Sequence, residues 1–280
     1  MNRRDFALRA ALGLGAAAVL GPGAVFGRGA GASPNVTSDA LRLDMGDGSS
    51  VLLDSVRHRV SLWRANGQMA WRHDRAGTGA LELNSPRGAA MDAASGWIYV
   101  ANHGNANVLG ISPEGEVVAL GAAAQLAGAR DIACHQGRLY VCDTANHRVQ
   151  VITTRDQRVG TIGQFGTDDR GLNGPVSLAI DIQERLHVAD VGGQRLQTFA
   201  LDGAWLGSYG RGLNLSPRSI SADTQGQVHV ADAIQNRIFR FSPRGELLSR
   251  DRVSDGLGRP AIPLALSASD AGINILAAAA

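Results

Sequence analysis

A segment of the same length and pattern recurs five times in this 280-residue chain, running from an acid to an arginine in four copies and from Asn102 to Asn107 in the second, and no other feature restricts the fold as strongly. The copies run Leu53-Asp54 to Arg59-Val60, Ala101-Asn102 to Asn107-Val108, Cys142-Asp143 to Arg148-Val149, Ala189-Asp190 to Arg195-Leu196 and Ala231-Asp232 to Arg237-Ile238, spaced by 48, 41, 47 and 42 residues. Repeats of this length are supersecondary units that must stack to bury their faces.

Each copy sits between two alternating apolar runs. Ile98-Tyr99-Val100, Leu139-Tyr140-Val141, Leu186-His187-Val188 and Val228-His229-Val230 precede it, and runs such as Val149-Gln150-Val151-Ile152 follow. Period-two alternation predicts strands. A turn comes next (Pro113-Glu114-Gly115, Asp202-Gly203, Pro243-Arg244-Gly245) and then a fourth strand. Upstream, a first strand is expected from Pro86 to Asp92, from Pro175 to Asp181 and from Pro217 to Asp223, with Ala129 and His135 at the same spacing in the third unit. Four strands per 40 to 48 residues is the arithmetic of a propeller blade. A sixth unit is short: Pro263 to Ser269 and Gly272 to Leu276 supply two strands before Ala277 to Ala280. The expectation is an all-β, six-bladed propeller of 22 strands with a short last blade, to which residues near Asn35-Val36-Thr37 could lend an edge strand.

The Asp-x-x-Asn-x-Arg-Val form, with Asn146-His147-Arg148 in the place of the namesake tripeptide, resembles the NHL-repeat family over roughly residues 39 to 280. The resemblance implies a β-propeller and leaves the activity open, because propellers host many functions.

The chain begins Met1-Asn2-Arg3-Arg4-Asp5-Phe6, followed by an alanine- and glycine-rich apolar stretch from Ala10 to Phe26 and by Ala30-Gly31-Ala32. This resembles a twin-arginine (Tat) export signal, an N-terminal signal helix over 1–32 ahead of a propeller domain over 33–280. The resemblance implies a periplasmic or secreted protein with no membrane span in its mature part. The sequence has no lysine, so all 27 basic residues are arginine, which excludes Schiff-base and phosphate-loop lysine chemistry. Without residues 1–32 the chain carries 23 basic and 24 acidic residues, about −1, which is not the electrostatic footprint of a nucleic-acid binder.

Residues that recur in every unit answer a structural need. The pairs Asp54/Arg59, Asp143/Arg148, Asp190/Arg195 and Asp232/Arg237 read as loop locks, with Asn102 and Asn107 replacing both charges together. His187 and His229 occupy the strand slot of Tyr99 and Tyr140. His58, His103 and His147 lie in loops of different units that diverge radially, an arrangement poorly suited to a metal site. With Gln136-Gly137 as a hairpin turn, Cys134 falls near Leu139 and Cys142 near Asp131, roughly 10 Å apart, so both are expected as buried thiols without a disulfide. Gly163, Gly166, Gly171 and Gly174 read as unit-linking turns, not a phosphate loop.

Positions that vary at a shared place are the candidates for function. The residue after the opening Pro of each first strand stands near the mouth of the central channel, and in chain order it is Asp39, Arg87, Arg130, Val176, Arg218 and Leu264. Arg87, Arg130 and Arg218 are therefore the candidate ligand-binding residues. Each could pair with a carboxylate such as Asp131 or Asp39, or together they could hold a carboxylate, a phosphate or an acidic peptide. No catalytic residue, metal ligand or cofactor is assigned. Peptide-amidating lyases are similar propellers that bring histidines to this ring for zinc, and lactonase-type propellers bind calcium through Glu, Asn and Asp; neither set aligns here. The expectation is a binding or scaffolding module for a protein or small anionic ligand, with a metal-dependent lyase or lactonase-like hydrolase as the alternative.

Overall fold

The structure is a computed structural model that describes residues 40–44, 49–254, 261–269 and 272–279. The expected signal helix over 1–32 and the edge segment near Asn35 lie outside them. The described residues form an all-β fold of antiparallel sheets in strict chain order. The first sheet holds β1 (Ala40–Asp44), β2 (Ser50–Asp54), β3 (Arg59–Trp63) and β4 (Met69–His73). The second holds β5 (Pro86–Met91), β6 (Ile98–Asn102), β7 (Asn107–Ile111) and β8 (Val117–Leu120). The third holds β9 (Ala129–His135), β10 (Arg138–Asp143), β11 (Arg148–Thr153) and β12 (Arg158–Ile162). The fourth holds β13 (Pro175–Ile180), β14 (Arg185–Asp190), β15 (Arg195–Ala200) and β16 (Trp205–Tyr209). The fifth holds β17 (Pro217–Ala222), β18 (Val228–Asp232), β19 (Arg237–Phe241) and β20 (Leu247–Arg252), and β21 (Ala261–Ser269) pairs with β22 (Gly272–Ala279) in a two-stranded sheet.

First strands of successive sheets lie side by side: β5 against β9, β9 against β13, β13 against β17 and β17 against β21. The core is correspondingly divided between sheets. In β6, Ile98 and Val100 pack with Val51 and Val60 of the sheet before, whereas Tyr99 and Ala101 pack with Ile132 and Leu139 of the sheet after. In β10, Leu139 and Val141 face backward while Tyr140 and Cys142 face forward onto Leu178 and Val188. Both faces of these middle strands are apolar because both are covered, and each Val, Ile or Leu buried this way contributes about 1.5 to 3 kcal/mol.

The turns follow from the acids that close the first strands. β5, β13 and β17 end one residue earlier than expected, because Asp92, Asp181 and Asp223 begin the turn instead of ending the strand. Asp181 Oδ1 accepts from the Gln183 and Arg185 amides at 2.9 Å each, and Asp223 Oδ1 accepts from those of Gln225 and Gln227 at 2.9 and 2.8 Å. β9 lacks such an acid and runs through His135 into a two-residue hairpin turn, with Gln136 and Gly137 at φ 48° and 71°, the left-handed pair that matches strand twist. Cys134 pairs with Leu139 as expected; both thiols are free and buried, and burial pushes Cys134 up to about 12 and Cys142 well above the ordinary thiol value.

In the last sheet the alanine tail joins a strand. Ala277, Ala278 and Ala279 pair with Pro263, Ile262 and Ala261. Alanine has little strand preference of its own, so the pairing partner decides. The glycines of the segment before β13 form a linker turn: Gly163 and Gly174 adopt φ 72° and 78°, and Phe165 bridges Leu172 as Ala76 bridges Leu83 in the segment before β5.

Candidate functional site

The site is built from one recurring irregularity. Five consecutive first strands carry a β-bulge: pairing skips one residue between Pro86 and Gly88, Pro175 and Ser177, Pro217 and Ser219, and Pro263 and Ala265, while in β9 it steps from Ala129 to Ile132, so that Arg130 and Asp131 together face Cys142. A bulged residue leaves the ladder and re-aims its side chain. The residues so displaced include Arg87, Arg130, Val176 and Arg218.

Arg130 lies within the fields of both other guanidinium groups. Arg130 is half-buried, and burial first, then Arg87 and then Arg218, push it below the ordinary guanidinium value. Arg87 and Arg218 are exposed. Among the described residues none of the three makes an ion pair or a hydrogen bond. Asp131 follows Arg130 but its oxygens are taken: Oδ2 accepts from Ser177 Oγ at 2.6 Å and from the Leu178 amide at 3.1 Å, and Oδ1 accepts from the Ile132 amide at 2.9 Å. Burial raises the Asp131 carboxyl above the usual range, against these hydrogen bonds and Arg130. Asp39 lies outside the described residues, as does the side chain of Leu264.

In three sheets the third residue of the first strand ties it to the next sheet, a role not evident from the sequence. Asp131 accepts from the Leu178 amide, Ser177 Oγ from the Ile220 amide at 3.0 Å, and Ser219 Oγ from the Leu266 amide at 3.1 Å. Gly88 occupies this place in the second sheet and has no side chain to offer, so Ile132 uses the Oδ1 of its own neighbour Asp131. The signal was a small hydrogen-bonding residue immediately after the variable position.

The repeated pairs hold loops, with differences. Arg148 Nε donates to Asp143 Oδ2 at 2.7 Å and Arg195 Nε to Asp190 Oδ2 at 3.2 Å. Asn102 Nδ2 donates to Asn107 Oδ1 at 2.8 Å, the neutral version of the same lock. Asp54 takes Arg57 at 3.1 Å and Arg59 at 3.7 Å. The fifth sheet departs from the expectation: Asp232 binds the amides of Ser216, Ile234 and Gln235, while Arg237 turns to the Arg250 carbonyl at 3.3 Å.

The histidines are distributed, not convergent. His58 Nδ1 accepts from the Ser85 amide at 2.7 Å and His147 Nδ1 from the Gly174 amide at 3.0 Å, each tying its loop to the next sheet. His187 and His229 are buried and contact Asp181 and Asp223 at 3.0 and 2.9 Å, with Tyr209 Oη 3.0 Å from His187 Nδ1. Burial raises both carboxyls, but the histidine and amide hydrogen bonds, with Arg185 in the case of Asp181, outweigh it and leave each below the usual range. Among the described residues no three His, Cys, Asp or Glu side chains could hold a metal ion together, and no helix is long and apolar enough to cross a membrane.

The chain is similar to several solved structures at low sequence identity. A catalytically inactive variant of virginiamycin B lyase from Staphylococcus aureus, solved with quinupristin, superposes with a TM-score of 0.67 at 14% identity, over 86% of this chain and 79% of that one. A streptogramin B lyase gives 0.67 at 12%, over 86% and 76%. A gluconolactonase from Xanthomonas campestris gives 0.61 at 18%, over 82% and 79%. A comparison with curated protein sequences finds no match. Residues 126–152, from the linker before β9 to β11, match the NHL repeat, so the chain carries an NHL repeat within an all-β, propeller-like fold.

Proposed function

We propose that this chain is an exported, six-bladed NHL-type propeller that binds an anionic ligand at the mouth framed by the bulged starts of its first strands. The observation that carries the reading is Arg130, half-buried between the fields of Arg87 and Arg218, with no carboxylate paired to any of the three among the described residues. Guanidinium groups cannot shed their protons to relieve such crowding, and a carboxylate or phosphate matches their fork geometry. Like charges held about 10 Å apart or less are only partly screened at physiological salt, so the mouth is positive on a mature chain that is nearly neutral. The sixth blade of this reading is the β21–β22 sheet.

Replacing Arg87 and Arg218 with Gln is expected to abolish stabilisation by citrate or phosphate while leaving the ligand-free melt unchanged or slightly raised. A ligand at a hundred times its dissociation constant stabilises by about 2.7 kcal/mol, and that is the increment the melts with and without anion should lose. A structural ion pair would behave oppositely, since its loss lowers the ligand-free stability. Export is checked separately: a variant with Arg3→Lys and Arg4→Lys is expected to stay in the cytoplasm, and full periplasmic yield of that variant would count against a Tat route.

The fold neighbours named as lyases and as a gluconolactonase favour a second reading, a metal-dependent lyase or lactonase-like hydrolase on the same scaffold. Elemental analysis separates the two. Stoichiometric zinc or calcium in the purified protein supports the enzyme; a metal-free protein that still binds anions supports the binding module.

A further inference from the structure

The residue after the loop acid or amide reaches toward the next sheet. Ser55 Oγ donates to the Pro86 carbonyl, and Thr144 Oγ1 donates to the Pro175 carbonyl at 2.7 Å, in each case the first residue of the neighbouring first strand. Val191 and Ala233 stand at this place in the next two sheets. His103 stands there in the second sheet, the one titratable side chain of the five. Its ring lies against Gly128, where an added Cβ would meet Cε1 at 3.1 Å and Nδ1 at 3.4 Å, directly before Ala129 and Arg130. Asn102, its neighbour in the chain, pairs with Pro86, which precedes Arg87. The imidazole therefore neighbours the segments that carry two of the mouth arginines, both of which act on it, and its buried Nδ1 makes no hydrogen bond of good geometry among the described residues.

Arg87 from β5 and Arg130 from β9 are the charged groups that act on His103; Asp131 is engaged by Ile132, Ser177 and Leu178 instead. Burial first, then Arg87, then Arg130 hold the imidazole below its ordinary value, against the backbone of Gly128 and Ala129, so it is neutral when the mouth is empty near pH 7. A doubly charged oxyanion between the guanidiniums cancels the two positive charges that act on His103 and so removes what disfavours the imidazolium. By linkage, whatever makes the imidazolium favourable on binding makes the anion bind more tightly when the proton is available.

We propose that His103 is the proton-accepting member of the arginine mouth, and that occupancy by a dianionic oxyanion, such as a phosphate monoester or a dicarboxylate, is coupled to uptake of one proton beside Arg87 and Arg130. The proposal rests on the anion-binding reading of the mouth. The coupling makes affinity rise as pH falls toward the depressed value of the free imidazole, by up to tenfold per pH unit, the limit for one linked proton.

Calorimetric titration of the purified protein with sulfate, which does not itself titrate between about pH 5 and 8, tests it in two buffers of different ionisation enthalpy. Wild type is expected to bind more tightly toward pH 5 with a buffer-dependent enthalpy. His103→Gln, which keeps a donor toward the backbone, is expected to bind sulfate with no proton uptake and little pH dependence. Proton uptake that survives in His103→Gln, or pH-independent binding by wild type, overturns the role of His103 and leaves the arginine site standing; no sulfate binding at any pH overturns both. An NMR titration of the His103 ring stands apart from any ligand. Its pKa should rise in Arg87→Gln, and an unchanged value refutes the placement beside the arginines.

Discussion

Gly88→Ala is expected to destabilise the protein by about 3 kcal/mol or more, at or beyond the upper end of the range for overpacked interior sites. The added Cβ would lie 2.4 Å from Asp131 Oδ1, 2.8 Å from Asp131 Cα and 3.2 Å from the Arg130 carbonyl oxygen. A side-chain oxygen alone could move aside. The Cα and the carbonyl belong to β9, whose shift would break the hydrogen bonds that Leu178 and Ser177 donate to Asp131 and so disturb the third and fourth sheets together. Gly88 is not at a positive φ, so the cost is collision and not backbone strain. Gly160→Ala is the control: it lies in β12 with nothing within 4 Å of its would-be Cβ and should be neutral or stabilising by about 0.5 kcal/mol. Urea denaturation measures both, and a loss below about 1 kcal/mol at Gly88 would show that β9 yields easily. Because Arg130 and Asp131 sit on the displaced segment, Gly88→Ala should also weaken anion binding, which Gly160→Ala should not.

The sheet order and the loops were legible from residue type alone, because alternation and a recurring acid each have one physical meaning in a strand-rich repeat. What escaped was set by geometry that leaves no mark on composition. A bulge inserts one residue without changing which residue types appear, so the shared displacement of Arg87, Arg130 and Arg218 shows only in the pairing. The left-handed residue of each loop is His58, Ala106, His147, Gln194 or Asn236, at φ 50° to 53°, a position held by the surrounding hydrogen bonds and not by a glycine that could be recognised. Asp232-to-Arg237 has the same spacing as the true pairs, yet Gln235 offers its amide at the acid and Arg237 finds a carbonyl on β20. A long flexible side chain has more than one acceptor in reach, and spacing cannot say which it takes. Nor could sequence show that Asp131, read as a partner for the arginines, is occupied by the next sheet.

Asp190→Ala should be the most costly member of the loop-acid series, at about 3 to 5 kcal/mol, because it strands a charge that water cannot reach. The side chains of Asp190 and Arg195 are 0% and 1% exposed, whereas Arg148 beside Asp143 is 22% exposed and Arg57 and Arg59 beside Asp54 are 50% and 32% exposed. Arg195 also donates to the Asp168 and Gly171 carbonyls at 2.7 and 2.6 Å, so its guanidinium is fixed in the interior and cannot swing out when its counter-ion is lost. Asp143→Ala frees an arginine that solvent can partly rescue and should cost about 1 to 3 kcal/mol. For Asp54→Ala the exposed ion pair itself is worth about 1 kcal/mol at most. The order Asp190, Asp143, Asp54 in chemical melts is therefore the expected result. Burial is the largest influence on Asp190 and holds its carboxyl above the usual range, against the amides of Asn173 and Gly193 and more distant cations. The cost of drying the charge thus exceeds what its neighbours return. The pair then fixes the loop's conformation more than it adds stability, and the double variant Asp190→Ala with Arg195→Met should recover about 2 kcal/mol or more of the single variant's loss. A double variant no more stable than Asp190→Ala would mean that Arg195 contributes through its carbonyl bonds to Asp168 and Gly171 and not through the carboxylate.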